Sequence, residues 1–149
     1  MSTIFDMIVS GEIPSFKIYE DDHHLAFLGI FPNTPGHSIV IPKKNLGDDV
    51  FSLSDQDYQA LMGAAKIVAK MTKKAFGIER VGLMVDGTGV PYAHVRLMPF
   101  HGYGDGQDLP QLEPVFYENY PGFVTSKDGP RMDDKDLEEI RKKIAEAEV

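Results

Sequence analysis

The sequence contains no cysteine, which excludes disulfides and thiolate metal sites without identifying a redox compartment. It is also short of positive charge: 15 lysines and arginines stand against 23 aspartates and glutamates, a formal net charge of −8. Binding to a nucleic-acid polymer irrespective of sequence needs a basic stripe that releases counterions, so that class is excluded and any phosphate ligand must be gripped locally. No run approaches the ~18 consecutive apolar residues of a membrane span. The segment Met1-Ser2-Thr3-Ile4-Phe5-Asp6 lacks the basic and apolar regions of a secretion signal. These absences lead us to expect a cytoplasmic protein with no membrane partner.

What is present suits one domain with a proper core. The chain has 149 residues, 42% hydrophobic and 26% charged, long enough for a single core and too short for two comfortable ones. Thr3 to Val9, stopped by Gly11, reads as a short helix with Ile4, Phe5 and Ile8 on one face. Phe16 to Glu20, Leu25 to Leu28 and Ser38 to Ile41 read as strands of an antiparallel meander. Ser54 with Asp57 gives a capping-box start to the longest helix, whose apolar positions Tyr58, Leu61, Ala65, Val68, Thr72 and Phe76 run at helical spacing to Gly77. Val81 to Val85, the turn Asp86-Gly87-Thr88-Gly89 and a strand from Val90 to Pro99 should form a hairpin. From Phe100 to Pro130 glycine and proline alternate with Phe100, Tyr103, Phe116, Tyr117, Tyr120 and Phe123. That aromatic content predicts an ordered arm rather than a disordered linker. Asp133 caps a final helix with Leu137, Ile140 and Ile144 on one side. The division expected is residues 1–100 as the domain, with residues 101–149 as an arm and helix packed on it.

The stretch Val90 to Pro99 carries the chemistry. On a pleated strand alternate residues share a face, about 6 to 7 Å apart, so Tyr92, His94 and Arg96 would line one surface while Ala93, Val95 and Leu97 pack inward. A donor, a titratable nitrogen and a fixed cation in a row suit an anionic ligand.

Tyr92-Ala93-His94-Val95-Arg96-Leu97-Met98-Pro99 resembles the histidine-triad (HIT) signature, His-φ-His-φ-His-φ-φ with φ apolar. Ile4-Phe5, Gly11-Glu12-Ile13-Pro14, Tyr19-Glu20-Asp21-Asp22, Ala26-Phe27-Leu28, Pro35-Gly36-His37 and Val40-Ile41-Pro42-Lys43-Lys44 follow the family pattern in the same order, so the match covers about two thirds of the chain. The resemblance implies an α+β fold: an antiparallel sheet, one long helix and a short N-terminal helix, in a homodimer that binds a nucleotide and hydrolyses or transfers at its α-phosphate. It implies no cofactor and no metal. A purine nucleotide or nucleotide conjugate, of the phosphoramidate or dinucleoside polyphosphate type, would be the ligand.

By the same resemblance His94 is the nucleophile, whose neutral imidazole attacks phosphorus and leaves a nucleotidyl-histidine for water to cleave. His37 lies beside it, to orient it or contact phosphate. Phe5, Ile8 and Phe27 match apolar positions of a base-binding wall, although apolar residues at such spacing are core by default. Tyr92 and Arg96 replace the outer histidines. A phenol donates a hydrogen bond but stays protonated near neutrality, and a guanidinium grips phosphate but gives up no proton to a leaving group. Gly29 stands where the family commonly has a ribose-binding aspartate, and the 85–89 loop lacks the usual phosphate-touching glutamine, so Thr88 or backbone amides would substitute.

Blander readings compete: Arg96 could pair with a carboxylate across the sheet, Tyr92 could fill space, and His23-His24 could be a solvated turn. A zinc site from His37, His94 and His101 has no signature in their spacing. Three functions therefore stand: a nucleotidyl hydrolase or transferase using His94, a nucleotide-binding module with little or no catalysis, and a dimeric interaction protein with a vestigial pocket.

Overall fold

A computed structural model of the chain describes residues 2–104, 119 and 131–148. Most of the expected aromatic arm, including Phe116, Tyr117, Tyr120 and Phe123, lies outside the described residues. The elements in chain order are α1 (Ile4–Ser10), β1 (Lys17–Glu20), β2 (His24–Leu28), β3 (Ser38–Pro42), α2 (Asp55–Phe76), β4 (Val81–Met84), β5 (Val95–Pro99) and α3 (Asp134–Ala145). The strands form one antiparallel sheet in the order β1-β2-β3-β5-β4. The α+β class, the meander and the hairpin are as the sequence predicts.

Local chemistry explains where the helices begin and end. Thr3 caps α1 in a reciprocal box with Asp6, and Gly11 ends it in the left-handed region. Ser54 accepts from the Asp57 amide to start α2, which Gly77 stops at φ 64. Aspartates in the first turn of α2 and lysines in its last complement the helix dipole.

The sheet buries both faces, and this places the site. On one face Ile18, Ala26, Leu28, Val40, Val95 and Leu97 pack against Leu61, Ala65 and Val68 of α2 and Leu137 and Ile144 of α3. On the other, Leu25, Phe27 and Ile41 pack with Phe5 of α1 and Tyr92, flanked by Ile8, Ile39 and Val90. Strand β2 is buried at every position because its odd residues feed one core and its even residues the other. Arg96 is paired in register with Ile39 and Met84, so it belongs to the α1 side of the sheet.

Two expectations need correction. The last strand begins at Val95 rather than Val90, because the turn's chain runs instead past Gly47, whose carbonyl accepts from the Ala93 amide at 2.6 Å. Tyr92 and His94 therefore precede the ladder, although Tyr92 packs with Phe5 and His94 lines the same cavity as Arg96, so all three stay on the α1 side of the sheet. His24 is not solvated: it opens β2, is buried, and its Nδ1 lies 3.1 Å from Asp21 Oδ1.

Candidate functional site

Between α1 and the sheet lies a cavity of about 300 Å³. Phe5 and Ile8 from α1, Phe27 from β2 and Ile39 from β3 give it an apolar wall, and His37, Thr88, His94 and Arg96 gather at its polar part. Arg96 is the one permanently charged side chain among its described lining residues. A cavity of this size, mostly apolar with a few convergent polar groups, has the form of a small-molecule site.

His94 is 3% exposed, and its Nδ1 lies 2.6 Å from the Tyr92 carbonyl oxygen. A carbonyl only accepts, so Nδ1 carries the proton and Nε2 keeps its lone pair. The ring is edge-on to Phe5 at a centroid distance of 5.2 Å. Burial pushes the His94 pKa below its ordinary value and the Arg96 charge adds to this, against the Tyr92 hydrogen bond and the Asp86 charge. The imidazole is therefore neutral at physiological pH.

His37 reaches the cavity from the loop before β3. That loop runs close to α2: Gly36 sits at φ 86, and a Cβ there would come within 2.6 Å of the Phe76 ring. His37 is itself 3% exposed, and its carbonyl accepts from the Gly29 amide at 3.0 Å.

Arg96 Nη2 donates to Asp86 Oδ2 at 2.8 Å, and the same oxygen accepts the Thr88 hydroxyl at 2.9 Å. Burial raises the Asp86 pKa, but the Thr88 hydrogen bonds and the Arg96 charge outweigh it and hold the carboxyl below its usual range. The carboxylate expected only as an alternative partner for Arg96 thus exists, in the turn two residues beyond β4.

Tyr92 is fully buried and does not line the cavity. Its hydroxyl donates to the Pro42 carbonyl at 2.7 Å, and burial, with the charge of Asp6, pushes its pKa up to about 12. Tyr92 supports the wall from behind, its ring edge-on to Phe5 at 5.7 Å.

The HIT domain model matches residues 10–111. The chain belongs to the HIT family. It is 36% identical over 110 residues to the protein named Protein hit of Bacillus subtilis, covering 69% of this chain and 74% of that one. Its fold matches the crystal structure of a Hit-like protein involved in cell-cycle regulation from Bartonella henselae, with a TM-score of 0.73 and 27% identity over 97% of this chain and 95% of that one. It also matches a hypothetical histidine triad nucleotide-binding protein from Sulfolobus tokodaii, with a TM-score of 0.72 and 25% identity over 97% of this chain and 90% of that one.

Among HIT-family expectations, Phe5, Ile8, Phe27, His37, Thr88, His94 and Arg96 are brought together around one cavity, and Tyr92 is not. His101 lies elsewhere, its Nε2 2.8 Å from the Pro35 carbonyl and its ring against Phe76. Among the described residues no three His, Asp or Glu side chains form a metal-binding group, and no helix is long and apolar enough to cross a membrane. Sequence reasoning missed the outer apolar lining, Ile4, Ile30 and Phe31. The shared helical face of Ile4 with Phe5 and Ile8 was a signal for the first; Ile30 and Phe31 lie between β2 and β3, outside any periodic segment.

Proposed function

We propose that this HIT-family chain binds a purine nucleotide or nucleotide conjugate and transfers or hydrolyses at its α-phosphate through His94. The observation that carries the reading is the His94 tautomer: Nδ1 is tied to the Tyr92 carbonyl, so Nε2 is left as a neutral nucleophile inside the cavity. In the chemical step Nε2 attacks phosphorus and a P–N bond forms as the bond to the leaving group breaks. The leaving group takes that electron pair, and water then cleaves the nucleotidyl-histidine. Phe5, Ile8 and Phe27 would hold the base, with Arg96 on phosphate oxygens; the Thr88 hydroxyl is committed to Asp86. The Sulfolobus relative's description as nucleotide-binding supports the ligand class. The protein is, on this reading, a cytoplasmic homodimer, and β4, a sheet edge with Leu83 half exposed, is suited to pairing with a second copy.

Incubation with adenosine phosphoramidate and with a dinucleoside polyphosphate tests the reading. Release of AMP from either, abolished in a folded His94→Ala variant, is expected; undiminished release from that variant refutes it. A second reading, a binding module with little chemistry, is favoured by the outer triad positions, where Tyr92 is sealed away and Arg96 gives up no proton. It predicts AMP binding without turnover of either substrate.

A further inference from the structure

We propose that Asp86 is a positioning residue for Arg96, fixing the guanidinium as a phosphate contact; the inference rests on the nucleotide reading of the cavity. Arg96 lines the cavity holding His94 and His37, which no described carboxylate lines. Its partner Asp86 instead lines a second depression with Asp48, Asp49 and Thr88. Arg96 reaches Asp86 through Nη2 alone and through one carboxylate oxygen. A guanidinium has five N–H donors in a fixed fork, so this single bond leaves most of them uncommitted. Its Nε is buried and has no hydrogen-bond partner among the described residues.

Asp86 is itself held. Its Oδ2 accepts the Thr88 hydroxyl, and the next residue, Gly87, is at φ 64 with the Asp48 carbonyl oxygen only 2.3 Å from where a Cβ would sit. No other residue fits that turn, so the backbone carrying the carboxylate is seated against the 48–49 loop. A long arginine side chain loses much rotamer freedom when it grips a ligand. An anchored carboxylate behind it removes that freedom beforehand, and both members of the pair are mostly shielded from solvent, with side chains 16% and 21% exposed. The opposite reading makes Asp86 a mere counter-charge that weakens anion binding. The two predict opposite signs.

The test is AMP binding by calorimetry with the full chain and its Asp86→Asn, Asp86→Ala, Asp86→Glu, Arg96→Ala and Asp86→Ala/Arg96→Ala variants. Asn keeps an acceptor oxygen at the same reach, so its affinity should stay within about threefold of wild type, while Ala should weaken binding about tenfold. Glu keeps the charge but displaces the guanidinium, and should also weaken binding, which preserves the test if the Ala variant does not fold. In the Arg96→Ala background, Asp86→Ala should have no further effect. Tighter binding by both Asn and Ala, unchanged binding by Ala and Glu, or an equal loss with and without Arg96 each overturns the tether while leaving the nucleotide reading intact. A wild type that binds no AMP overturns both.

Discussion

Replacing Tyr92 by Phe separates the two roles a polar residue in this motif could play. The ring contacts should survive, because the edge-on packing on Phe5 at 5.7 Å does not involve the hydroxyl. The loss is the 2.7 Å hydrogen bond to the Pro42 carbonyl in a residue with no exposed surface. A buried carbonyl deprived of a donor costs about 1–3 kcal/mol, with no water able to enter and replace it. For a chain of this length that corresponds to a melting temperature lower by about 2–12 °C. Urea denaturation followed by circular dichroism measures the stability, and an AMP isotherm on the same preparation measures the site. Stability should fall while the dissociation constant stays within about twofold. Unchanged stability would show that the hydroxyl is not tied to Pro42. A folded, equally stable variant with AMP affinity lowered about tenfold or more would place the hydroxyl at the ligand and refute the structural role.

Two further outcomes follow from His94 and Gly29. The folded-state pKa of His94 lies below its unfolded value of 6.5, so its contribution to stability is full above about pH 6.5 and is lost as the pH falls through the lower folded value. Wild-type urea midpoints should therefore drop relative to His94→Gln between pH 7 and 5, and parallel curves would contradict the burial argument. A Cβ at Gly29 would meet only ordinary contacts, 3.7 to 3.8 Å from His37, so Gly29→Asp should fold. With no carboxylate among the described lining residues, the wild type should bind AMP and 2′-deoxy-AMP within about threefold of each other, and Gly29→Asp should favour AMP about tenfold; a wild type that already favours AMP tenfold sinks this reading.

Most of the scaffold was legible because short-range signals agree with one another. The glycines Gly11 and Gly77 that end α1 and α2, and the capping serine before α2, each mark a boundary by local chemistry; the box of Thr3 and Asp6 that starts α1 one residue later than expected was not read from the sequence. The strand beginning at Val90 was not, because alternation from Tyr92 to Arg96 satisfies a strand pattern while the pairing partner exists only from Val95 onward. A single chain's periodicity shows which residues could share a face and says nothing of where a neighbouring strand ends. His24 escaped for a related reason. The three residues before it are polar, but it is already the first residue of β2, paired with Pro42 of β3.

The two altered outer positions of the motif therefore differ in kind, and the difference bears on catalysis. Tyr92 has left the cavity: its hydroxyl serves the fold, and only its backbone carbonyl, which orders the His94 ring, touches a residue of the cavity's polar part. Arg96 has stayed, but as half of an ion pair. A histidine can alternate between donor and acceptor within a turnover, whereas neither a phenol with its pKa near 12 nor a permanently charged guanidinium can. If His94 is the nucleophile, as proposed, it keeps its reactive tautomer while the outer motif positions can no longer deliver a proton. On the proposed mechanism the first step should be less affected for leaving groups that depart as stable anions, such as phosphate esters, than for amines that must be protonated as they leave. A larger retained rate on the dinucleoside polyphosphate than on the phosphoramidate is the expected signature, and an Arg96→His variant should narrow that gap. Equal rates on the two substrates, unmoved by Arg96→His, would mean that the leaving group's proton comes from elsewhere in the cavity, and His37 is the residue then in position to supply it.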